Sequence, residues 1–234
     1  MSWRGLVVAI ALVGLAAPAA LGDAGESRAL ALLASASAAW DRVDDYEAVF
    51  FKQEAFDGAL GPVETLRIQF KKPFAVRLDW LDADHRGQGA VYVAGENSGK
   101  MRAKAGGLLG LFTVSLDPAG SRAMKGNHHP ITAAGIGSTT EVVMARLARA
   151  RAEGRAVTLD VVGATGVGRA AVDVIEARLD PPEPTLARAC LGVARDSGLL
   201  VYVDVYDAQG RLYEHYEYRD VRLNVGIAAD RFRL

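Results

Sequence analysis

Apolar and polar residues follow two different periods along this chain. An amphipathic helix is predicted over residues 25–43 by the helical spacing of Leu33, Ala36, Trp40 and Val43. From Tyr46 onward the period becomes two, in short runs rich in β-branched and aromatic residues. These runs predict strands at residues 47–54, 63–70, 75–81, 90–96 and 100–105. Turn residues separate the runs, so this part of the chain is predicted to form an antiparallel meander.

The alternation gives the predicted sheet one apolar face. In the second and third strands, charged or polar neighbours alternate with Leu66, Ile68, Phe70, Val76, Leu78 and Trp80. Phe50 and Leu111 are further apolar residues in nearby segments. Such a face either fills an ordinary core against helices or encloses an apolar cavity for a lipid or acyl chain. Periodicity leaves both alternatives open, and all of these residues are candidate contacts for a ligand.

The pattern breaks between residues 117 and 137. This stretch is rich in Gly, Pro, Asn, Ser and His, and it is a candidate hinge or lid through Gly126, His128, Pro130, Ile131, Gly135 and Gly137. Ser138 and Glu141 fit a capping box, which predicts that a helix starts there and stops at Gly154.

Further strands are predicted at residues 156–162, 170–179, 186–195, 199–206 and 211–221. Many strands with two or three helices, and no regular α/β alternation, predict an α+β fold. Its expected architecture is a strongly curved antiparallel sheet, an incomplete barrel, covered by the helices.

Residues 1–22 have the pattern of a secretory signal peptide. They carry one early positive charge, Arg4, then an apolar stretch and small residues suited to cleavage. The apolar stretch is shorter than the ~20 residues that span a bilayer. The only cysteine, Cys190, lies far from the cleavage region and cannot carry a lipid there. We therefore expect residues 23–234 to form one periplasmic domain without a membrane anchor.

Composition narrows the classes of partner. The formal net charge is −1, whereas sequence-independent binding of nucleic acid needs clustered basic residues. A single cysteine allows no internal disulfide, so stability must come from burial. We expect a monomer that does not bind nucleic acid.

The candidate catalytic and metal motifs are weak. Gly163, Gly166 and Gly168 resemble a dinucleotide loop, but residues 170–179 alternate like a strand, so a flexible hairpin is favoured. His128 and His129 are adjacent in a stretch expected to be extended, where neighbouring side chains point in opposite directions and rarely share a metal. We expect no catalytic residue, metal or cofactor, and a protein that is not an enzyme.

Several segments are similar to the bacterial family DUF1571. They are residues 46–54, 90–101, 123–126, 130–137, 205–210 and 216–226. The closing segments also resemble, more loosely, LolA-like periplasmic carriers. The resemblance implies a LolA/LolB-like fold, in which a bent antiparallel sheet and helices enclose an apolar cavity for lipoprotein acyl chains. It implies a carrier of a lipid or lipoprotein acyl chain or, as the alternative, an envelope protein-interaction or stress-sensor module with its own protein partner.

Overall fold

The computed structural model describes residues 19–106 and 112–234, and within those ranges it has three α-helices, three short 3₁₀ helices and twelve strands. The α-helices are α1 (Ala19–Asp41), α2 (Ser121–Met124) and α3 (Ile136–Ala152). The strands are β1 (Asp45–Phe56), β2 (Ala59–Leu60), β3 (Glu64–Lys71), β4 (Ala75–Trp80), β5 (Gly89–Val93), β6 (Met101–Lys104), β7 (Thr113–Leu116), β8 (Ala156–Val167), β9 (Ala170–Glu183), β10 (Leu186–Ala194), β11 (Leu200–Tyr206) and β12 (Leu212–Leu223). Positions 1–18 of the predicted signal peptide, and the candidate contact Leu111, lie outside the described residues.

The strands form one antiparallel sheet. Their order is β7-β6-β5-β4-β3-β1-β12-β11-β10-β9-β8, with β2 paired on β1. The first and last long strands, β1 and β12, therefore pair in the middle of the sheet. Its two edges are β7 and β8, which do not pair with each other. The predicted α+β class is confirmed, with an antiparallel sheet that is not closed into a barrel and that carries three helices.

Helix α1 packs on the sheet with the stripe that the spacing predicts. Leu33 and Ala36 are buried, and Trp40 is partly buried against the core. The helix ends at Asp41, before the predicted boundary, and Val43 is buried beyond its end. No helix in residues 19–106 or 112–234 is long and apolar enough to cross a membrane.

Helix α3 starts before the predicted position. It begins at Ile136, so Ser138 lies inside its first turn and the predicted capping box is wrong. The residue before the helix is Gly135, whose φ of 111° falls in a region that favours glycine. The backbone N–H of Ile136 donates to the hydroxyl of Tyr46 at 3.0 Å. A hydrogen bond from β1 therefore caps this helix in place of a local side chain.

The glycine-rich stretch after residue 162 belongs to a long hairpin. Gly163 and Gly166 lie within β8, and Gly168 turns the chain into β9 with a φ of 57°. A strand follows these glycines and not a helix, so no helix N-terminus is available to bind a pyrophosphate. This geometry favours the hairpin interpretation over the dinucleotide loop.

Candidate functional site

Strand register arranges the inner face of the sheet in rows. Phe50 on β1 lies opposite Leu66 on β3, and Leu66 lies opposite Trp80 on β4. On the other side of β1, Phe50 lies opposite Tyr218 of β12, with 4.7 Å between their ring centroids. These four side chains form a continuous apolar row across the sheet.

A cavity of about 160 Å³ lies between this row, α3 and the loop of residues 126–135, which we call loop 126–135. Among the candidate contacts, those that line it are Phe50, Leu66, Leu78 and Trp80. The sheet also contributes Ala90, Met101, Val203, Val205, Tyr216 and Tyr218. Helix α3 contributes Thr139, Val142, Val143 and Arg146, and loop 126–135 contributes Asn127, His129, Pro130, Ile131, Ala133 and Ala134.

The other candidate contacts lie deeper on the same face. Ile68, Phe70 and Val76 are 0%, 2% and 0% exposed, and they belong to the packed core instead of the cavity wall. The ring of Trp40 fills the space over Phe70, with 5.3 Å between their centroids. The sheet face is thus packed at one end and hollow at the other.

The candidate hinge or lid residues occupy different places. Pro130 and Ile131 line the cavity, whereas Gly126 and His128 line neighbouring surface clefts. Gly135 is the residue before α3, and Gly137 lies inside α3 with its Cα facing the ring of Trp40.

One end of the cavity is polar because the inward residues of β1 after Phe50 are charged. The next inward residue, Lys52, donates to Oδ1 of Asn127 at 2.5 Å and pairs with Oε1 of Glu64 at 2.9 Å. Glu64 also accepts a hydrogen bond from Nε1 of Trp80 at 2.6 Å. Lys52 therefore connects loop 126–135 to β1 and β3, although its side chain is only 10% exposed.

Glu54 makes a second connection to the same loop. Its Oε1 accepts the hydroxyl proton of Tyr216 at 2.5 Å, and its Oε2 accepts the backbone N–H of His128 at 3.0 Å. Burial and the neighbouring carboxylates of Glu214 and Glu54 raise the pKa of Tyr216, so this hydroxyl stays protonated and acts as a donor.

The two histidines of loop 126–135 converge on one carboxylate. Nδ1 of His128 and Nε2 of His129 lie 3.0 and 3.1 Å from Oε1 of Glu214. The expectation that their side chains point in opposite directions is wrong, because the backbone bends at both residues and is not extended.

This arrangement sets the charge of Glu214. Burial would raise the pKa of Glu214, but the hydrogen bonds from His128 and His129 outweigh it and lower that pKa to about 2. Glu214 is therefore an anion that can only accept hydrogen bonds. Nε2 of His128 lies 2.9 Å from the carbonyl oxygen of Ala55, a second acceptor. Both partners of the His128 ring are acceptors, and the hydrogen bond to Glu214 and the charge of Glu54 raise the pKa of His128, so this geometry favours the cationic imidazole.

Sequence reasoning missed the polar end, although two signals for it are present. Inward positions of β1 continue through Lys52 and Glu54, so the period of two that identifies Phe50 also identifies them. On α3, Arg146 follows Val142 and Val143 at helical spacing and shares their face. Within residues 19–106 and 112–234, no group of three or more His, Cys, Asp or Glu side chains is arranged to hold a metal ion.

A family model described as a protein of unknown function (DUF1571) matches residues 43–234. The chain belongs to the DUF1571 family. The resemblance seen in the segments around β1, β5, loop 126–135 and β12 is thereby confirmed. No curated protein matches the sequence of this DUF1571 chain.

Solved structures share the fold of the DUF1571 chain at low sequence identity. MucB is 19% identical, with a TM-score of 0.56 over 89% of this chain and 62% of MucB. The Pseudomonas aeruginosa MucA/MucB complex gives 18% identity and a TM-score of 0.54, over 88% and 61% of the two chains. The Mycobacterium tuberculosis lipoprotein LppX is 16% identical, with a TM-score of 0.54 over 88% of this chain and 100% of LppX.

These similarities concern the fold alone. The DUF1571 chain spans about 62% of the length of MucB. Its open antiparallel sheet with three helices is the architecture that the resemblance to LolA-like carriers implies.

Proposed function

We propose that this DUF1571 protein is a non-enzymatic binding protein of the cell envelope that holds a lipid or lipoprotein acyl chain in its cavity. The observation that carries the proposal is the apolar cavity of about 160 Å³ over the row of Phe50, Leu66 and Trp80. Apolar side chains dominate its walls. Each methylene group moved from water into such a site contributes about 0.8 kcal/mol to binding.

Loop 126–135 is the proposed lid. A cavity of about 160 Å³ accepts a group the size of benzene, so a longer acyl chain needs the cover to move. Polar contacts of Asn127 and His128 attach the loop to the sheet, and Ile131 packs into the hydrophobic core. Gly126 and Gly135 bound the loop, and both have positive φ. Gly137, packed on Trp40, would belong to its fixed end.

The other expectations fit the same proposal. Ile68, Phe70 and Val76 are buried in the packed core and would contact a ligand only if that packing changed, and Leu111 stays a predicted contact. A carrier would be exported to the periplasm by the signal peptide of residues 1–22 and would act there as an unanchored monomer. A lipoprotein, LppX, has the same fold, which supports an envelope location for it.

The direct test is native mass spectrometry of the purified protein, combined with extraction of bound lipid and uptake of a fluorescent fatty acid. The variant Val143→Trp places a larger side chain in the cavity and should reduce uptake. Ala145→Trp is the matched control, since Ala145 is exposed on the same helix. A wild-type protein that carries no lipid and takes up no fatty acid would contradict the proposal.

A second candidate function is a protein-interaction or stress-sensor module. It is favoured by one observation, that MucB, which has this fold, is described in a complex with MucA. Chemical crosslinking in the periplasm followed by identification of the captured chain tests this candidate. Recovery of one specific protein partner by a lipid-free DUF1571 protein would favour it over the carrier.

A further inference from the structure

Most charged side chains that line the cavity have a charged partner. Lys52 pairs with Glu64 and also lies 3.6 Å from Glu54. Glu54 accepts hydrogen bonds from Tyr216 and from the backbone of His128. Glu214 binds the two histidines. These groups satisfy one another when loop 126–135 covers the cavity.

Arg146 differs from them. Its side chain lines the cavity from α3, and in the described part of the chain it takes part in no ion pair and donates no hydrogen bond. It is near enough to Glu214 to help lower the pKa of that carboxyl group. The charge of Glu214 is, however, already balanced by the His128 cation at 3.0 Å. The positive charge of Arg146 is therefore available to a ligand.

The position of Arg146 relates this charge to the apolar wall. Val142 and Val143 lie one turn before Arg146 on α3, and all three side chains line the same cavity. A guanidinium group has five N–H donors in a planar fork, which fits the two oxygens of a carboxylate or phosphate. A ligand bound here would meet apolar walls and then the positive charge of Arg146.

We propose that the cavity selects an anionic amphiphile, with its acyl chain against Phe50 and Leu66 and its carboxylate or phosphate on Arg146. This inference rests on the proposed binding of an acyl chain and adds the chemical class of the head group. Arg146 is then a specificity-determining residue, and a neutral or cationic head group on the same chain should bind more weakly.

Isothermal titration calorimetry with four probes that carry a twelve-carbon chain, each below its micelle concentration or solubility limit, tests the head group. The probes are dodecanoate, dodecyl phosphate, dodecan-1-ol and dodecyltrimethylammonium. The wild-type protein should bind the two anions at least about tenfold more tightly than the alcohol, because charge-assisted hydrogen bonds are stronger than neutral ones. The cation should bind more weakly than the alcohol. Acetate and inorganic phosphate, which lack the chain, should not bind measurably.

The variant Arg146→Met keeps an unbranched side chain but removes the charge. It should bring the affinities for the anions and the alcohol to within about twofold of each other, while the alcohol still binds as it does to the wild type. Arg149→Met is the matched control on α3, since Arg149 has a side chain that is 56% exposed and pairs with Glu153 and Glu183 outside the cavity. It should keep the preference for anions.

The outcomes separate this inference from the proposed function. Equal binding of dodecanoate and dodecanol by the wild type, or an anion preference that survives in Arg146→Met, overturns the head-group assignment and leaves acyl binding intact. Binding of inorganic phosphate as tightly as dodecyl phosphate would identify a phosphate site without a role for the cavity and also overturns the inference. If none of the four amphiphiles binds, both the proposed function and the inference fail.

Discussion

His128 and Glu214 form a buried ion pair between loop 126–135 and β12, with 3.0 Å between Nδ1 and Oε1. Their side chains are 11% and 6% exposed. Because the second ring nitrogen of His128 donates to the carbonyl oxygen of Ala55, the imidazole cannot lose a proton without losing a hydrogen bond. The attachment of the proposed lid therefore depends on the protonation state of this pair.

Stability should depend on pH in a window set by this pair. The pKa of Glu214 is about 2 in the folded protein, below its ordinary value of 4.5, so its contribution is complete above pH 4.5 and is lost as the pH falls towards 2. Burial would lower the pKa of His128, but the hydrogen bond to Glu214 and the charge of Glu54 raise it above 6.5. The contribution of His128 is therefore complete below pH 6.5 and is lost as the pH rises through its folded pKa.

Urea denaturation at a series of pH values measures this dependence. We expect the midpoint to be highest between pH 4.5 and 6.5 and to decrease on both sides. In His128→Gln, which cannot titrate, the decrease above pH 6.5 should become smaller. If the decrease above pH 6.5 is unchanged in His128→Gln, a group other than His128 causes that decrease.

Glu214→Gln should destabilise the protein. The amide keeps the shape of the side chain but removes the negative charge that pairs with His128, at an expected cost of about 2–4 kcal/mol in the free energy of unfolding. Backbone amides in loop 126–135 should exchange hydrogen faster in this variant. Glu153→Gln is the control, because the side chain of Glu153 is 46% exposed and its ion pairs lie on the surface. That control should change stability by less than about 0.5 kcal/mol.

Gly137→Ala should be poorly tolerated. A Cβ atom at this position would overlap the ring of Trp40, which also packs on Phe70 and Tyr46. Relieving the overlap requires the ring or α3 to shift, and we expect a loss of about 1–3 kcal/mol in denaturant titrations. Gly166→Ala in β8 is the control, since a Cβ there meets no atom within 4 Å. Similar behaviour of the two variants would contradict the packing shown here.

Tyr46→Phe removes the hydroxyl group that accepts the N–H of Ile136. This leaves a buried donor at the start of α3 without its partner, which should cost about 1–3 kcal/mol. Tyr92→Phe is the control, because within residues 19–106 and 112–234 the Tyr92 hydroxyl forms no hydrogen bond, and the change should be below about 0.5 kcal/mol. The thermal unfolding midpoints of the two variants are compared. The difference between them separates the loss of the helix cap from the general effect of replacing a tyrosine by phenylalanine.

Much of the sheet is readable from local patterns. The alternation in β3 identifies Leu66, Ile68 and Phe70 as inward residues, and all three are buried. The alternation does not show that Leu66 lines the cavity whereas Phe70 packs under Trp40. The period of two identifies the face of the strand on which a side chain lies, and it does not identify what covers that face at each position. That distinction depends on where α1 and α3 cross the sheet.

The hydrogen-bond partners of buried polar groups also cannot be read from the local sequence. Nothing local to His128 indicates that its partner is Glu214, 86 residues later in the chain. The failed capping box at Ser138 has the same origin, since the acceptor for the N–H of Ile136 is Tyr46, 90 residues earlier.

The sequence by itself determined the family, the antiparallel strands and the apolar face, because hydrophobic periodicity and turn residues act over a few neighbouring positions. Only the tertiary structure decided that part of this face is hollow and that Lys52, Glu54 and Glu214 close one end of the cavity. It also decided that Arg146 faces the cavity with no ion pair to any residue that the structure describes. The pairing of β1 with β12 is the physical reason. It brings opposite ends of the chain into register, and no local pattern records which distant side chains then meet.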